Sequence, residues 1–474
     1  MVDRMQTFTI EELTSIHDAA LHILKKVGVR FDDDQAIDIF KRAGHRLSGN
    51  IVYFSEKQIS QALESAPSHF VLSARNAEKS VAIGGENFGL APGYGAPFIV
   101  TSEGRQREAT MSDYENFCKL VQTSKCINVN GFLMAMPSDV ASETAYLDML
   151  YSNMVLCDKP FMGSPLSRTA AQDCVNLAGI LWGGADNLPD TPVTLSLITP
   201  LSPLQYTAEM AGSILEFAGN NQACVFGILL MAGSSGTTSL AGLLVQQTAE
   251  ILAGVTLTQL VRSGAPVVVG GTSSILDMRT GCLSMGAPEA ARVAAATMQM
   301  GKFYDLPVRS GCAVTDAHLP DAQAGLESAL NLMIAVRNGS NFILHAAGIL
   351  SAYSAMSFEK FIIDEEICSI ACEYLKPIKI SRETIGLDII EEIGIGGEFL
   401  SHPKTLEQCR TAFFLPNLVN RKSYAGWQEN GGKRIEHRAA DVLNDRLAAY
   451  AKPDLDPQIE KDLRKYIEKR KSEF

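Results

Sequence analysis

Apolar positions along the chain follow two rhythms. Over residues 8–27 and 33–43 they recur every three to four positions, with Ile16, Ala19, Ala20, Ile23 and Leu24 on one stripe, which is the spacing of amphipathic helices. Strand-like pieces at Ile51–Phe54, Phe70–Leu72 and Val81–Ile83 flank another helix at Glu56–Ser65, so residues 1–87 read as a small α+β entry segment. From about residue 88 short runs rich in Val, Ile and Leu alternate with longer helical stretches. The runs are Gly131–Met136, Pro160–Gly163, Val193–Ile198, Ala223–Met231, Pro266–Gly270, Pro307–Gly311 and Phe342–Ala346, and the helices between them include Tyr206–Ala218, Ser239–Arg262, Pro288–Phe303 and Asp321–Arg337. Strands that are apolar throughout, each followed by a helix, belong to a parallel sheet buried on both faces. Those seven runs and the stretch Pro92–Val100 make eight, the number that closes a (β/α)₈ TIM barrel. An open doubly wound sheet uses the same alternation, but no Gly-x-Gly-x-x-Gly loop opens a helix here. The expected class is α/β: a barrel over residues 88–375 and a helical extension over 376–474 that packs on it. The extension ends in a charged helix at Pro457–Ser472, and Asn417–Lys433, carrying Trp427, reads as an irregular loop.

Composition narrows the function classes. A chain of 474 residues that is 46% hydrophobic and 20% charged can bury a core of barrel size. Acidic residues outnumber basic ones 53 to 41, which argues against a nucleic-acid surface because phosphates call for clustered Lys and Arg. Lys461, Arg464, Lys465, Lys469, Arg470 and Lys471 do cluster, but acidic neighbours interleave with them, so they read as a solvated helix face. Met1–Ile10 has no signal-peptide character and no apolar run is long enough to span a bilayer, so a cytoplasmic protein without a membrane partner is expected. The ten cysteines include no Cys-x-x-Cys pair, and Cys368 and Cys372 have no His nearby to complete a zinc site; reduced thiols and no bound metal are expected.

In a barrel the reacting groups belong on the loops that leave the strands' C-terminal ends. Here those loops are Ala91–Pro97, Thr199–Pro203, Met231–Thr238, Gly270–Ser274, Ser310–Asp316 and His345–Gly348, which are small, hydroxyl-rich and nearly free of carboxylates. No His-Glu-x-x-His, no phosphate-binding loop with Lys and Ser, and no Gly-x-Ser-x-Gly elbow occurs; Gly233-Ser234-Ser235-Gly236 has only a superficial likeness to the last. Asp277 and Asp316 lie near barrel loops and read as capping carboxylates. Three other residues suggest a ligand. His345 ends an apolar strand where side chains face the mouth, Arg309 sits within a strand where an unpaired charge is costly, and Tyr94 stands between two glycines. Each has a plainer reading: a satisfied core histidine, an ion pair at the barrel wall, packing in a turn. Together they suit a zwitterion, with cationic and hydrogen-bonding groups for a carboxylate and an aromatic face for a quaternary nitrogen.

At these loops the sequence resembles the trimethylamine methyltransferase family, in its branch without pyrrolysine. The resemblance rests on Gly236–Leu244, Ala249–Gly254, Asp277–Gly281 with Gly286–Glu289, Thr315–Gly325 and Ile393–Leu400, with a looser likeness at Glu12–Phe40. It implies a (β/α)₈ barrel and transfer of a methyl group from an amine to the cobalt of a separate corrinoid (cobalamin) protein, with no cofactor tightly bound to this chain. In the trimethylamine enzyme a pyrrolysine precedes a Ser-Asp-Ala-Lys stretch; here the stretch is Thr315-Asp316-Ala317-His318, so Val314 holds that position, and His345 stands where a glycine is expected. Both departures point away from trimethylamine. A quaternary ammonium departs as a neutral tertiary amine and needs neither an acid nor an activating electrophile, only position and desolvation. Glycine betaine, giving dimethylglycine, is the first expectation; proline betaine, carnitine and γ-butyrobetaine share the same chemistry. For such a substrate the chemistry of the residues assigns Arg309 and His345 to the carboxylate, Tyr94 to the wall near the ammonium and Phe342 to added apolar surface, while the resemblance places Val314 in the pyrrolysine space. A corrinoid protein would dock over the mouth, and a homo-oligomer is expected. Other classes stay open: a betaine sensor that transfers nothing, and a metal-dependent aldolase or isomerase.

Overall fold

Seven parallel strands are hydrogen-bonded side by side in sequence order: β1 (Gly89–Leu90), β2 (Phe161–Met162), β3 (Thr194–Ile198), β4 (Ala223–Phe226), β5 (Val267–Gly270), β6 (Val308–Gly311) and β7 (Phe342–Leu344). β7 pairs with β1, so the only gap lies between β1 and β2. Residues 128–131 fill it. The Asn130 amide donates to the Pro160 carbonyl at 2.8 Å, the Asn130 carbonyl accepts from Met162 at 2.9 Å, and the amides of Asn128 and Val129 donate to the Leu90 carbonyl at 3.1 Å. With this eighth stave the sheet closes into a barrel, as the alternation of apolar runs and helices predicts. The computed structural model describes residues 5–184, 188 and 190–474; residues 1–4 of the expected N-terminal segment, with 185–187 and 189, lie outside the described residues.

Two expected strands are displaced. The first stave is Gly89–Leu90 rather than Pro92–Val100, because Pro92 and Pro97 have no N–H for a ladder and Gly95 turns the chain at φ 93°. Only Phe98–Val100 of that stretch is a strand, and it joins a separate sheet with Gln106–Glu108, Ala355–Met356 and Ile349–Leu350. Likewise the stave expected at Gly131–Met136 lies at 128–131. Trp427 sits on a short helix, Tyr424–Glu429, rather than in an irregular loop, because Ser423 caps its first turn.

Pleating decides which side chains enter the barrel, since paired residues of parallel strands face the same way. Outward-facing Phe226 lies against Gly254 of helix Leu240–Val261, and Val269 and Val308 lie against Gly301 of helix Pro288–Phe303. Gly270, Arg309, Phe342 and Gly89, paired in register across four staves, therefore face inward. At the N-terminal end the hairpin His69–Leu72/Val81–Gly84 closes the barrel: Ile83, Val129 and Phe342 all approach within 3.4 Å of where a Gly89 side chain would start.

Outer elements brace this core. Helix Ile10–Lys26 opens with a Thr9/Glu12 capping box and buries Leu13, Ile16, Ala20 and Leu24 against helix Leu240–Val261. The latter is long and apolar enough to cross a membrane by length and composition, but 72% of its apolar window is buried inside the fold, as in a core helix. Helix Pro457–Lys471 does not carry a merely solvated basic face. Arg470 pairs with Asp173 at 2.8 Å and Lys471 with Asp148 at 2.6 Å, because the apolar residues Leu463 and Ile467 press the helix onto the barrel's outer layer.

Candidate functional site

The barrel interior widens where its inward positions are glycine. Gly270 on β5 and Gly227 just beyond β4 stand beside Arg309 of β6; a side chain on Gly270 would start 2.8 Å from Arg309 Cγ, and one on Gly227 3.5 Å from its Nη1. The guanidinium thus lies across the neighbouring staves in space that only glycine leaves open. Arg309 is 1% exposed, and its Nε has no hydrogen-bond partner. Among the described residues no carboxylate pairs with it; the groups that favour its charge are Tyr353 and Cys312, both neutral near pH 7. Burial pushes its pKa down to about 10, so it remains a cation.

His345 follows β7 in a left-handed conformation, φ 62°, rare for a residue with a side chain. Its backbone is held on both sides: its amide donates to the Pro92 carbonyl at 3.2 Å, and its carbonyl accepts from Ala313 at 2.8 Å. This turns the imidazole into the barrel mouth, where Nδ1 is buried without a partner. Burial, and then the Arg309 charge, hold its pKa well below the ordinary value, so the ring is neutral.

Tyr353 completes the group. It ends a turn, Ser351–Tyr353, in which three consecutive residues are left-handed at φ 52°, 46° and 79°. The turn is pinned by Ser351 and Ala352 amides donating to the Ala317 and Thr315 carbonyls, both at 2.9 Å. Its ring centroid lies 4.7 Å from that of His345, tilted by 54°, and its hydroxyl is buried without a partner. Burial pushes its pKa up to about 12. Nothing in composition or periodicity marked this residue; the signal was its place in a hydroxyl-rich stretch, Ser351–Ser354, shortly after the last barrel strand.

The structure brings Arg309, His345 and Val314 together. Val314 is 1% exposed, and a side chain on Gly311 would start 3.4 Å from its Cγ2 and 3.5 Å from His345 Nδ1. Tyr94 is not brought into contact with them, although its loop is tied to the β7 loop by the Gly93 amide donating to the Ala347 carbonyl at 2.8 Å. Its hydroxyl is buried without a partner and its pKa is raised by burial, but among the described residues no hydrogen bond or ring contact links it to Arg309, His345 or Tyr353. Phe342 lies deeper, on the barrel floor beside Gly89 and Val129. Asp277 and Asp316 stand apart: Asp277 pairs with Arg279 in an exposed hairpin turn, and Asp316 accepts from the Met285 and Gly286 amides.

A buried ion pair supports the mouth loops from behind. Lys360 Nζ, on helix Phe358–Tyr374, donates to Asp364 at 2.6 Å, to Ser328 Oγ at 2.8 Å and to the Ala313 carbonyl at 3.4 Å; Asp364 accepts from the Gly348 amide at 2.8 Å. One pair therefore ties the β6 loop to the β7 loop. Burial pushes the Asp364 pKa up to about 6 despite Lys360.

Chemically the site is a buried recess with one uncompensated cation, a neutral imidazole and an aromatic ring; among the described residues no carboxylate pairs with the cation, and the one whose charge reaches the Tyr353 ring, Asp316, is taken up by the Met285 and Gly286 amides. Such a recess suits an anionic group on Arg309 with a cationic or apolar group facing the rings.

A family model described as trimethylamine methyltransferase (MTTB) matches residues 1–474. The chain is 41% identical over 473 residues to a glycine betaine methyltransferase of Desulfitobacterium hafniense (strain Y51), covering 100% of this chain and 98% of that protein. It is 34% identical over 469 residues to a proline betaine:corrinoid methyltransferase of Eubacterium limosum, covering 95% of both. An L-carnitine:corrinoid methyltransferase from the same organism is 29% identical over 464 residues, with 94% of both covered.

Proposed function

The chain belongs to the trimethylamine methyltransferase family, and from that premise we propose that it moves a methyl group from a quaternary amine, glycine betaine first, to the cobalt(I) of a corrinoid carried by a separate protein. The carbon–nitrogen bond breaks with its electron pair left on nitrogen, releasing dimethylglycine, while the new carbon–cobalt bond takes its pair from the metal. No proton moves. A site whose histidine is neutral and whose nearby carboxylates are occupied elsewhere is adequate for that step.

One observation carries the substrate class: the buried Arg309 guanidinium without a counter-ion. Leaving such a charge unpaired is costly, and a bound carboxylate relieves it. In this reading Arg309 holds the substrate carboxylate, with the His345 ring as second hydrogen-bonding group. The Tyr353 and Tyr94 rings face the ammonium, Val314 fills the space that pyrrolysine takes in the trimethylamine enzyme, and Phe342 forms the floor. The corrinoid protein meets the mouth, where loops of small residues leave it room. The ten unpaired cysteines and the reducing power of cobalt(I) suit a reducing cytoplasm.

A calorimetric panel tests the carboxylate assignment. Glycine betaine should bind, and choline, with the same cation but a hydroxyl in place of the carboxylate, should not. Equal affinity for the two would remove Arg309 from the reading.

A further inference from the structure

The recess is closed. Arg309, Val314, His345, Tyr94 and Phe342 are all buried, so none of them offers a ligand an open approach. Tyr353 differs: its hydroxyl is buried, but part of the residue meets solvent, which places it between the recess and the water outside.

Tyr353 sits at the tip of a hairpin whose strands, Ile349–Leu350 and Ala355–Met356, are buried and paired in register. The tip itself is locally unfavourable. Ser351, Ala352 and Tyr353 all hold a left-handed backbone, which residues with side chains avoid, so the turn persists only while its neighbours over-determine it. Those neighbours are residues 315–318. The Ala317 and Thr315 carbonyls accept from the Ser351 and Ala352 amides, and at the solvent edge His318 Nδ1 and Ser351 Oγ share a hydrogen bond of 2.8 Å. The 315–318 segment is fixed in turn. Glu327 accepts from the Asp316 amide at 2.8 Å and from the Thr315 hydroxyl at 2.5 Å, while Asp316 accepts from the Met285 amide at 2.7 Å and the Gly286 amide at 3.1 Å. A strained turn therefore stands on a firm footing, and its outermost fastening is a side-chain bond that can break without disturbing the core.

We propose that this turn is the way in for the betaine, and that His318 is a positioning residue that latches it shut with Tyr353 over His345. The inference rests on the recess being the betaine site. While the His318–Ser351 bond is made, the Tyr353 ring is held 4.7 Å from the His345 ring and the recess stays closed. When it breaks, the turn relaxes outward and the approach to Arg309 opens. His318 touches neither ligand nor cobalt; it acts through Tyr353. A latch made in the free and in the bound protein alike slows entry and exit by the same factor and leaves affinity unaltered.

Hydrogen exchange and ligand exchange on the full chain test this together. In His318→Ala the Ser351 and Ala352 amides should exchange about 2- to 10-fold faster, the factor that one net hydrogen bond is worth, with the barrel strands unchanged. His318→Asn keeps a polar atom at the Nδ1 position and should restore the wild-type rate, and His318→Ala should add nothing in a Ser351→Ala background. Dissociation of glycine betaine, followed by exchange of its N-methyl resonance, and association, obtained with the calorimetric Kd, should both quicken by that same factor while Kd holds. Turn amides that ignore His318→Ala overturn the latch. So does faster dissociation with a weaker Kd and no faster association, which is the mark of simple structural damage. Failure of every variant and the wild type to bind betaine would sink the betaine reading instead, and the amide exchange would still decide whether His318 holds the turn.

Discussion

Replacing Arg309 with Met separates what the guanidinium does for the ligand from what it does to the fold. The chain length is kept and the charge is lost. Without ligand, the buried cation is a burden: its pKa is pushed down to about 10, a displacement worth roughly 3 kcal/mol against the charged form at 1.36 kcal/mol per pH unit. Arg309→Met should therefore raise the unfolding free energy of the free protein by up to about that amount, read as a higher urea midpoint with unchanged slope. With ligand the sign reverses. Truncating one member of a buried charge pair costs about 2–5 kcal/mol, so the calorimetric Kd for glycine betaine should rise from roughly 30-fold to several thousand-fold. A stability gain together with an affinity loss is a signature that a purely structural arginine would not produce. An unchanged Kd, or a destabilised free protein, would refute the reasoning.

The remaining predictions use neighbouring groups. His345 has a folded pKa well below its unfolded value of 6.5, so it contributes nothing to the pH dependence of stability above that pH. Below it the unfolded chain takes up a proton that the native ring refuses, and stability falls. His345→Asn, tolerated at positive φ, should lose about 1.4 kcal/mol less than wild type for each pH unit below 6.5, while the contributions of His17 and His45 cancel between the two proteins. Lys360→Met leaves Asp364 buried without its cation and should cost about 3–5 kcal/mol in chemical denaturation, most of it recovered by adding Asp364→Asn. Tyr353→Phe should keep betaine affinity within a few-fold, whereas Tyr353→Leu should weaken it by roughly 5- to 30-fold, the scale of a desolvated cation–π contact; equal losses would assign the hydroxyl, not the ring, to the ligand.

Much of the fold was readable because a barrel strand buried on both faces is apolar throughout; β4, β5 and β7 stand out in the sequence for that reason. The stave at 128–131 did not, because it reads Asn-Val-Asn-Gly and replaces part of its ladder with a side chain: Asn128 Oδ1 accepts the Leu90 amide at 2.7 Å. β1 is only two residues long and gives no period to detect. In the site, Arg309 and His345 were conspicuous as polar residues at apolar strand positions. Tyr353 was hidden because its placement depends on three successive left-handed residues, which no hydrophobic pattern encodes. Arg470 and Lys471 looked solvated because their partners, Asp173 and Asp148, lie some 300 residues away in sequence. The glycines at 227, 270 and 311 were legible as glycines but not as a cavity; that requires knowing that all three line the interior beside Arg309 and His345.

The central claim is methyl transfer from a betaine to cobalt, and it is tested most directly by mixing the purified chain with cob(I)alamin under strict anaerobiosis and following the spectrum of methylcobalamin. Glycine betaine should be converted to dimethylglycine with methylcobalamin formed in equal amount, while trimethylamine gives none and Arg309→Met slows the reaction at limiting betaine. Methylcobalamin formed from trimethylamine, or betaine that binds with no methyl transfer to cobalamin or to a corrinoid protein, would contradict the account.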